Sequence, residues 1–379
     1  MQAVILAGGN ATRLRSVSAG VPKPMLPLFD LPVMEHAIKL LKSHHITEII
    51  VCTSREATDI TDYFGDGSRW GVKIRYSIEH EPRGTAGAVK LVQGMIEGTF
   101  VVVSGDAITD TDLSKAIALH WSTSALVTLL LDEAAEPTQY GVVRHDSNGR
   151  ITHFHEKPRT SELTGNTVST GIYIMEPDAL ASIPPDQPYD FGLHLFPRML
   201  ANQEPVYGFD LGGYWCDAGD LGPYRQVHSD ALAGRLGLDL PAKQESDGIW
   251  IGDDARIHRS VEIHPPVYIG PGANIKRGVL LRANSVIGGG STIGEGTELW
   301  ACVIGCQSRV GKGSLVKDSI LGMASVVPDD EKVVNRFIIT SASYATEPET
   351  DETRPVVRRH KARPRARTEA EIEAIFQTL

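Results

Sequence analysis

Apolar positions between Met1 and Leu232 fall into short β-branched runs separated by stretches of helical spacing. Val4–Ala7, Glu48–Thr53, Val72–Ile78 and Phe100–Val103 read as buried strands, and Met34–Ser43, Glu56–Tyr63 and Thr85–Met95 as helices between them. This alternation predicts an α/β domain on a largely parallel sheet. In such sheets ligands lie beyond the carboxyl ends of the strands, so chemistry is expected in the loops that follow them. Later runs, Ala125–Leu131, Tyr140–His145, Ile151–His155 and Ser169–Met175, read as a mixed extension able to cover a second substrate.

The last third keeps a different beat. An apolar residue returns every six positions at Ile251, Ile257, Ile263, Ile269, Ile275, Leu281, Ile287, Ile293 and Leu299, with a small or β-branched residue four places after each. After one slip the beat resumes at Ile304, Val310 and Val316. Sustained hexads with Gly at the turns predict a parallel β-helix of about four coils, one apolar residue per flat face pointing inward. Ala233–Ser246 carries Gly, Pro and charge and reads as a linker. The expected organisation is a first domain at 1–232, a linker at 233–246, a β-helix at 247–330 and a partly disordered extension at 331–379. Within that extension, Glu347–Arg367 runs from acidic to basic and reads as a solvated arm, with a short amphipathic helix at Glu369–Leu379.

Composition narrows the function classes. The 379 residues are 41% hydrophobic and 22% charged, as in a soluble globular protein of two domains. A formal charge of −10 argues against nucleic acid as a partner of the folded body, yet leaves room for anionic substrates held by local charge. Cys52, Cys216, Cys302 and Cys306 form no CxxC pair, so a reduced, cytoplasmic chain is expected. No apolar stretch approaches the ~20 residues that cross a bilayer, and no membrane partner is expected.

The first loop after a strand reads Leu6-Ala7-Gly8-Gly9-Asn10-Ala11-Thr12-Arg13-Leu14-Arg15. Glycines placed there let backbone N–H groups approach phosphate oxygens. The loop lacks both the Gly-Lys-Ser/Thr of a P-loop and the three-glycine dinucleotide fingerprint. Arg13 adds a fork for a polyphosphate, and Lys23, between Pro22 and Pro24, a point charge on a restricted backbone.

These segments, with Pro-Lys-Pro-Met-Leu-Pro at 22–27 and Met34-Glu35-His36, resemble the sugar-1-phosphate nucleotidyltransferase family. Gly84-Thr85-Ala86-Gly87, Ser104-Gly105-Asp106, Tyr140-Gly141-Val142-Val143, Glu156-Lys157-Pro158, Thr170-Gly171-Ile172-Tyr173 and Tyr214-Trp215-Cys216-Asp217 follow in the family's order. Gly-Thr-Ala-Gly is most similar to the mannose-1-phosphate guanylyltransferases. The resemblance implies a Rossmann-like mixed-sheet α/β domain followed by a left-handed parallel β-helix. It implies that Leu6, Gly8, Gly9 and Arg13 bind the nucleoside triphosphate, that Lys23 contacts the reacting phosphates, and that Glu79, Gly84 and Thr85 lie by the base. A carboxylate there suits guanine, whose N1–H and exocyclic amine are adjacent donors, and favours GTP. By the same resemblance Asp106 and Asp217 share Mg²⁺, Gly141, Glu156 and Ser169 line the sugar-1-phosphate site, and Lys157 holds the acceptor phosphate.

The physics of that reaction fits the inventory. An acceptor phosphate with a second pKa of about 6 is largely ionised at neutral pH, so no catalytic base is required. Bringing two polyanions together requires Lys, Arg and hard cations, and Mg²⁺ takes one or two carboxylates plus phosphate oxygens. His153 and His155, spaced i, i+2, share a strand face that Glu156 does not, and read as surface or pocket histidines rather than a metal site. Trp215 reads as a packing residue. Ala11, Ser16-Val17-Ser18 and Ser169 depart from the usual family pattern, and the last leaves room for another acceptor, such as a cyclitol phosphate. Two rival readings are a non-catalytic regulatory subunit and a second, acyltransferase activity in the β-helix based on His258 or His264. The apolar flat faces of the β-helix predict a homo-oligomer.

Overall fold

The chain is described by a computed structural model over residues 1–8, 22–55, 57–185, 187–218, 221–338 and 344–345. Unbroken apolar runs bury both faces of a strand, and Gln2–Leu6 (β1) and Phe100–Ser104 (β6) do so at the sheet centre. Ala3, Ile5, Val101 and Val103 point to one side, Val4, Phe100 and Val102 to the other. Between them in the chain come Pro27–Leu28 (β2), Leu31–Pro32 (β3), the helix Val33–Ser43 (α1), Glu48–Ser54 (β4), the helix Thr58–Phe64 (α2), Lys73–Glu79 (β5) and the helix Gly84–Leu91 (α3). After β6 follow Ala107–Thr109 (β7), the helix Leu113–Ser122 (α4), Val127–Glu133 (β8), Gly141–His145 (β9), Ile151–Glu156 (β10) and Thr167–Met175 (β11). A π-helical turn, Phe191–Leu195, runs into Phe196–Ala201 (α5), then Val206–Asp210 (β12), Trp215–Asp217 (β13) and the helix Leu221–Leu232 (α6).

The main sheet runs β10-β9-β11-β6-β1-β4-β5, with β8 and β12 off that path. β6, β1, β4 and β5 are parallel, whereas β11 meets β6, β8 and β9 antiparallel, giving the mixed extension. α1, α2 and α4 cover one face and α3 with residues 191–201 the other. The α4 helix escaped the periodicity reading, although Asp112 caps it by accepting from the N–H groups of Ser114 and Lys115.

The β-helix has three faces. Parallel strands stack as Ile249–Ile251, Val267–Ile269, Ser285–Ile287, Val303–Ile304, Ile320–Leu321 and Phe337–Ile338 on the first, with five strands on each of the other two. Lys243–Ser246 pairs antiparallel with Ile249–Ile251, so the end of the expected linker belongs to this sheet. The coil also runs on past residue 330 to Ile338, giving five coils where about four were expected. The reason is a change of step. Ile251, Ile269 and Ile287 stack at 18-residue spacing, but Ile287, Ile304, Leu321 and Ile338 at 17. Each later coil drops one residue at a corner where Ala301, Asp318 and Asn335 turn with positive φ, so a strict six-residue beat loses the last coil.

Sheet domain and β-helix share a core. Leu26, Leu28, Phe29 and Val33 pack with Tyr224, Val227 and Ala231 of α6 and with Tyr268, Val286, Val303 and Ile320 of the first β-helix face. Fully burying one such aliphatic side chain contributes about 1.5–3 kcal/mol. Among the described residues no helix is long and apolar enough to cross a membrane.

Two buried histidines brace this core. His36 lies 3.1 Å from the Leu28 carbonyl and His228 2.9 Å from that of Tyr224. Burial lowers both from 6.5 to about 4. The unfolded chain takes up these protons at higher pH than the folded one, so their contribution is complete above pH 6.5 and is lost as pH falls toward 4. The melting temperature is therefore expected to fall across that window, and less steeply in His228→Phe. An unchanged slope in the variant would assign the acid sensitivity elsewhere.

Candidate active site

The strand ends of β1 and β6 meet at a turn with no space for a side chain. Leu6 pairs with Ser104, and the Gly105 N–H donates to the Leu6 carbonyl at 2.9 Å. A Cβ on Gly105 would lie 3.0 Å from that carbonyl and 3.1 Å from Pro24, beside Lys23. This close approach brings Lys23 Nζ to 3.4 Å from Asp106 Oδ2, while Ser104 Oγ donates to Oδ1 of the same carboxylate. The short strand β13 pairs antiparallel with β7, setting Asp217 opposite Ala107 and next to Asp106.

The far wall comes from β9, β10 and β11. In β11 the register against β8 shifts between Ser169 and Tyr173, and Gly171 takes φ +79°. A bulge of this kind re-aims side chains beside a site. It points the Thr170 hydroxyl to Leu130 O, 2.8 Å, and its carbonyl to Trp215 Nε1, 3.1 Å. Trp215 is buried, packs edge-on to Tyr140 at 5.2 Å, and fixes the floor. Strand alternation would send Glu156 and Lys157 to opposite faces. Lys157 instead adopts φ +45°, held by its N–H to the Tyr140 carbonyl at 3.0 Å, and both side chains reach one cavity.

That cavity, about 220 Å³, is bordered by Asp106, Gly141, Glu156, Lys157, Ser169 and Asp217. The structure thus brings together six of the residues expected from sequence, with Lys23 bound to one of them. Glu156 is seated against Gly192, where any Cβ would meet its carboxylate, and against Gly141, where a Cβ would lie 2.9 Å from it. Burial raises the Glu156 pKa, Lys157 lowers it in part, and Asp190 adds to the rise. The Ser169 hydroxyl is buried in the cavity wall beside Tyr173.

The residues expected beside the nucleotide are less fully described. Gly9 and Arg13 lie outside the described residues. Leu6 and Gly8 stand at the carboxyl end of β1, Gly8 beside Thr53 and Ser54 of β4. Glu79 ends β5 and accepts from the Arg83 N–H at 3.3 Å, with burial raising its pKa. Gly84 opens α3 at φ +71°, its Cα against the Tyr189 backbone. The Thr85 hydroxyl donates to Asp190 Oδ2 at 2.8 Å and accepts from the Phe191 N–H, so it ties α3 to the 190 loop. Sequence reasoning missed Asp190, Gly192 and Gly105. Asp190 carried a signal, since it caps the following turn through the N–H groups of Gly192 and Leu193. His258 and His264 lie on the first coil, bonded to Ser260 at 2.8 Å and 4.0 Å from Glu262 respectively, and do not border this cavity.

Residues 2–234 match the family described as nucleotidyl transferase. The chain belongs to this family. Residues 246–352 of the transferase match the GMPPB C-terminal domain. It is 36% identical over 283 residues to the UTP–glucose-1-phosphate uridylyltransferase of Synechocystis sp., covering 70% of this chain and 73% of that protein. It is 33% identical over 335 residues to a mannose-1-phosphate guanyltransferase of Hypocrea jecorina, covering 86% and 87%. HddC from Yersinia pseudotuberculosis, solved complexed with GMP-PN, superposes at a TM-score of 0.52 with 28% identity, over 59% of this chain and 96% of that one. The resemblance drawn from the motifs is borne out, as is the mixed-sheet domain with a parallel β-helix. The transferase is an enzyme of the sugar-1-phosphate nucleotidyltransferase family.

The raised Glu156 pKa has a consequence for stability. The folded state holds that proton more tightly than the unfolded chain, so the charged carboxylate costs stability above its pKa and that cost vanishes as pH falls through it. Glu156→Gln is expected to raise the melting temperature at neutral pH while raising the acceptor KM. A lowered melting temperature would show that the carboxylate is instead stabilised by its neighbours.

Proposed function

We propose that the enzyme transfers GMP from GTP to a mannose-1-phosphate-like acceptor and releases pyrophosphate. The observation that carries this reading is the convergence of Asp106, Asp217, Glu156 and Lys157 on one cavity at the carboxyl edge of the sheet, with Lys23 ion-paired to Asp106. An acceptor phosphate oxygen attacks the α-phosphorus in line. The new O–P bond forms as the bond to the bridging oxygen breaks, and that oxygen leaves with its electron pair on pyrophosphate. Lys157 holds the acceptor phosphate, Glu156 and the Gly141 backbone bind its hydroxyls, and Lys23 and Arg13 offset the triphosphate charge. In this reading Glu79, at the end of β5, accepts from guanine.

Asp106 and Asp217 fit Mg²⁺ by the chemistry of the donor set: two hard carboxylates, Asp217 on β13 and Asp106 in the turn just before its partner strand β7, in a lining with neither His nor Cys among the described residues. When bound, the ion screens the reacting phosphates and polarises the α-phosphoryl group. A cytoplasmic setting and a homo-oligomer joined through the β-helix complete the proposal; exposed Trp300, Val326 and Val334 on its faces support the assembly.

One observation favours a second acceptor. Ser169 is short and buried at the acceptor wall beside Tyr173, which suits a ring with a different hydroxyl pattern, such as a cyclitol phosphate. Pyrophosphate release is to be measured with GTP, ATP, UTP and dTTP against mannose, glucose and cyclitol phosphates. GTP with mannose 1-phosphate is expected to give the highest kcat/KM; indifference to the base removes the guanylyl assignment. Asp106→Ala and Lys23→Ala should each lower turnover on the order of 10²-fold or more, the scale of lost electrostatic stabilisation. Turnover that survives Asp106→Ala would displace the metal from that residue.

A further inference from the structure

The hairpin joining β2 to β3 enters the junction between sheet domain and β-helix. Its turn residues Phe29 and Asp30 take φ of 50° and 66°, a conformation that residues other than glycine keep only when their surroundings fix it. Phe29 is buried between His228, 4.8 Å between ring centroids, and Tyr268, 5.0 Å. Asp30 is bonded to three successive coils. The Tyr268 hydroxyl donates to Oδ2 at 2.7 Å, the Gly289 N–H to Oδ1 at 2.6 Å and the Cys306 thiol to Oδ1 at 2.9 Å. Bonds to a carboxylate are stronger than those between neutral groups, and three of them from one rigid stack fix the turn in place.

Little slack separates that turn from Lys23. The turn Lys23–Met25 closes through the Leu26 N–H to the Lys23 carbonyl at 3.1 Å, and the Val33 N–H donates to Leu26 O at 2.9 Å. Tyr224 of α6 donates to the Pro27 carbonyl. Pro24 and Pro27 restrict the backbone between, and Pro24 abuts Gly105, the neighbour of Asp106. Where the β-helix holds Asp30 therefore decides where Lys23 stands relative to Asp106.

We infer that Asp30 is a positioning residue for nucleotidyl transfer: by clamping the hairpin to three coils of the β-helix it sets the Lys23 ammonium against the reacting phosphates. This rests on the reading of Lys23 as a phosphate contact. It makes the β-helix part of the catalytic apparatus through one carboxylate.

The test compares full-length Asp30→Ala, Asp30→Asn, Tyr268→Phe, Lys23→Ala and Val316→Ala, the last a buried position of the β-helix core outside the junction. For each, kcat and both KM values are read from pyrophosphate release, alongside the melting temperature. Asp30→Ala is expected to lose kcat on the order of 10- to 100-fold, the scale of a misplacement of about 1 Å, with the acceptor KM moved less than about twofold. Asp30→Asn keeps an acceptor for Gly289 and Cys306, and its amide N–H can donate to the oxygen of a turned Tyr268 hydroxyl, so it should recover most of the rate, with Tyr268→Phe in between. Val316→Ala should lose melting temperature without losing kcat. Wild-type kcat in Asp30→Ala beside an inactive Lys23→Ala overturns the clamp alone. Wild-type turnover in Lys23→Ala overturns the reading of Lys23 and the clamp with it. A kcat loss in Val316→Ala that matches Asp30→Ala at equal loss of melting temperature reduces Asp30 to domain adhesion. Should Asp30→Ala fail to fold, Tyr268→Phe carries the test with its ring packing intact, and unchanged kcat there overturns the clamp.

Discussion

The apolar core shared by the hairpin, α6 and the first β-helix face is the constraint on which the site depends. Leu26, Leu28 and Phe29 enter it just after Lys23, and Ala218, Tyr224 and Val227 just after Asp217. Both charged groups thus sit at the lip of segments whose other side chains are buried against Tyr268, Val286 and Val303. Interiors of this kind are close-packed and do not deform gradually. A lysine that pairs with Asp106 and a carboxylate that lies opposite Ala107, far apart in the chain, are each held there by that anchoring.

Charge is then gathered where strands end. The parallel centre supplies Asp106, the antiparallel extension supplies Glu156 and Lys157, and the two meet because β11 pairs with β6 through Ile172–Met175 and with β9 at Val168. The irregular features cluster here: a bulge in β11, a left-handed lysine, and glycines whose missing side chains make room for Glu156 and for the Gly105 turn. Each departure from regular geometry has a side chain of the cavity on the other side of it. Two polyanions require this concentration of cations and acceptor groups within a small volume, and regular alternation alone would have split Glu156 from Lys157.

Much of this was legible in the residues. Buried strands such as Val101-Val102-Val103 announced themselves by composition, and the six-residue beat specified a β-helix before any coordinates. The beat also misled, since the corners at Asp318 and Asn335 drop a residue and hide the last coil. Asp106, Asp217, Glu156 and Lys157 were nameable from their motifs. Gly192 was not, and Asp190 only as the cap of a turn, because their value lies in what they touch: the Glu156 carboxylate in one case and Thr85 in the other.

By itself, the sequence determined the two periods, and hence the two architectures, because burial of apolar faces follows local spacing. It also determined the charged inventory that nucleotidyl transfer requires. Only the tertiary structure decided that Lys23 lies beside Asp106, that Lys157 turns to join Glu156, and that Asp30 reaches three coils of the β-helix. Those are contacts between residues distant in the chain, or backbone states imposed by such contacts, and local periodicity carries no information about either.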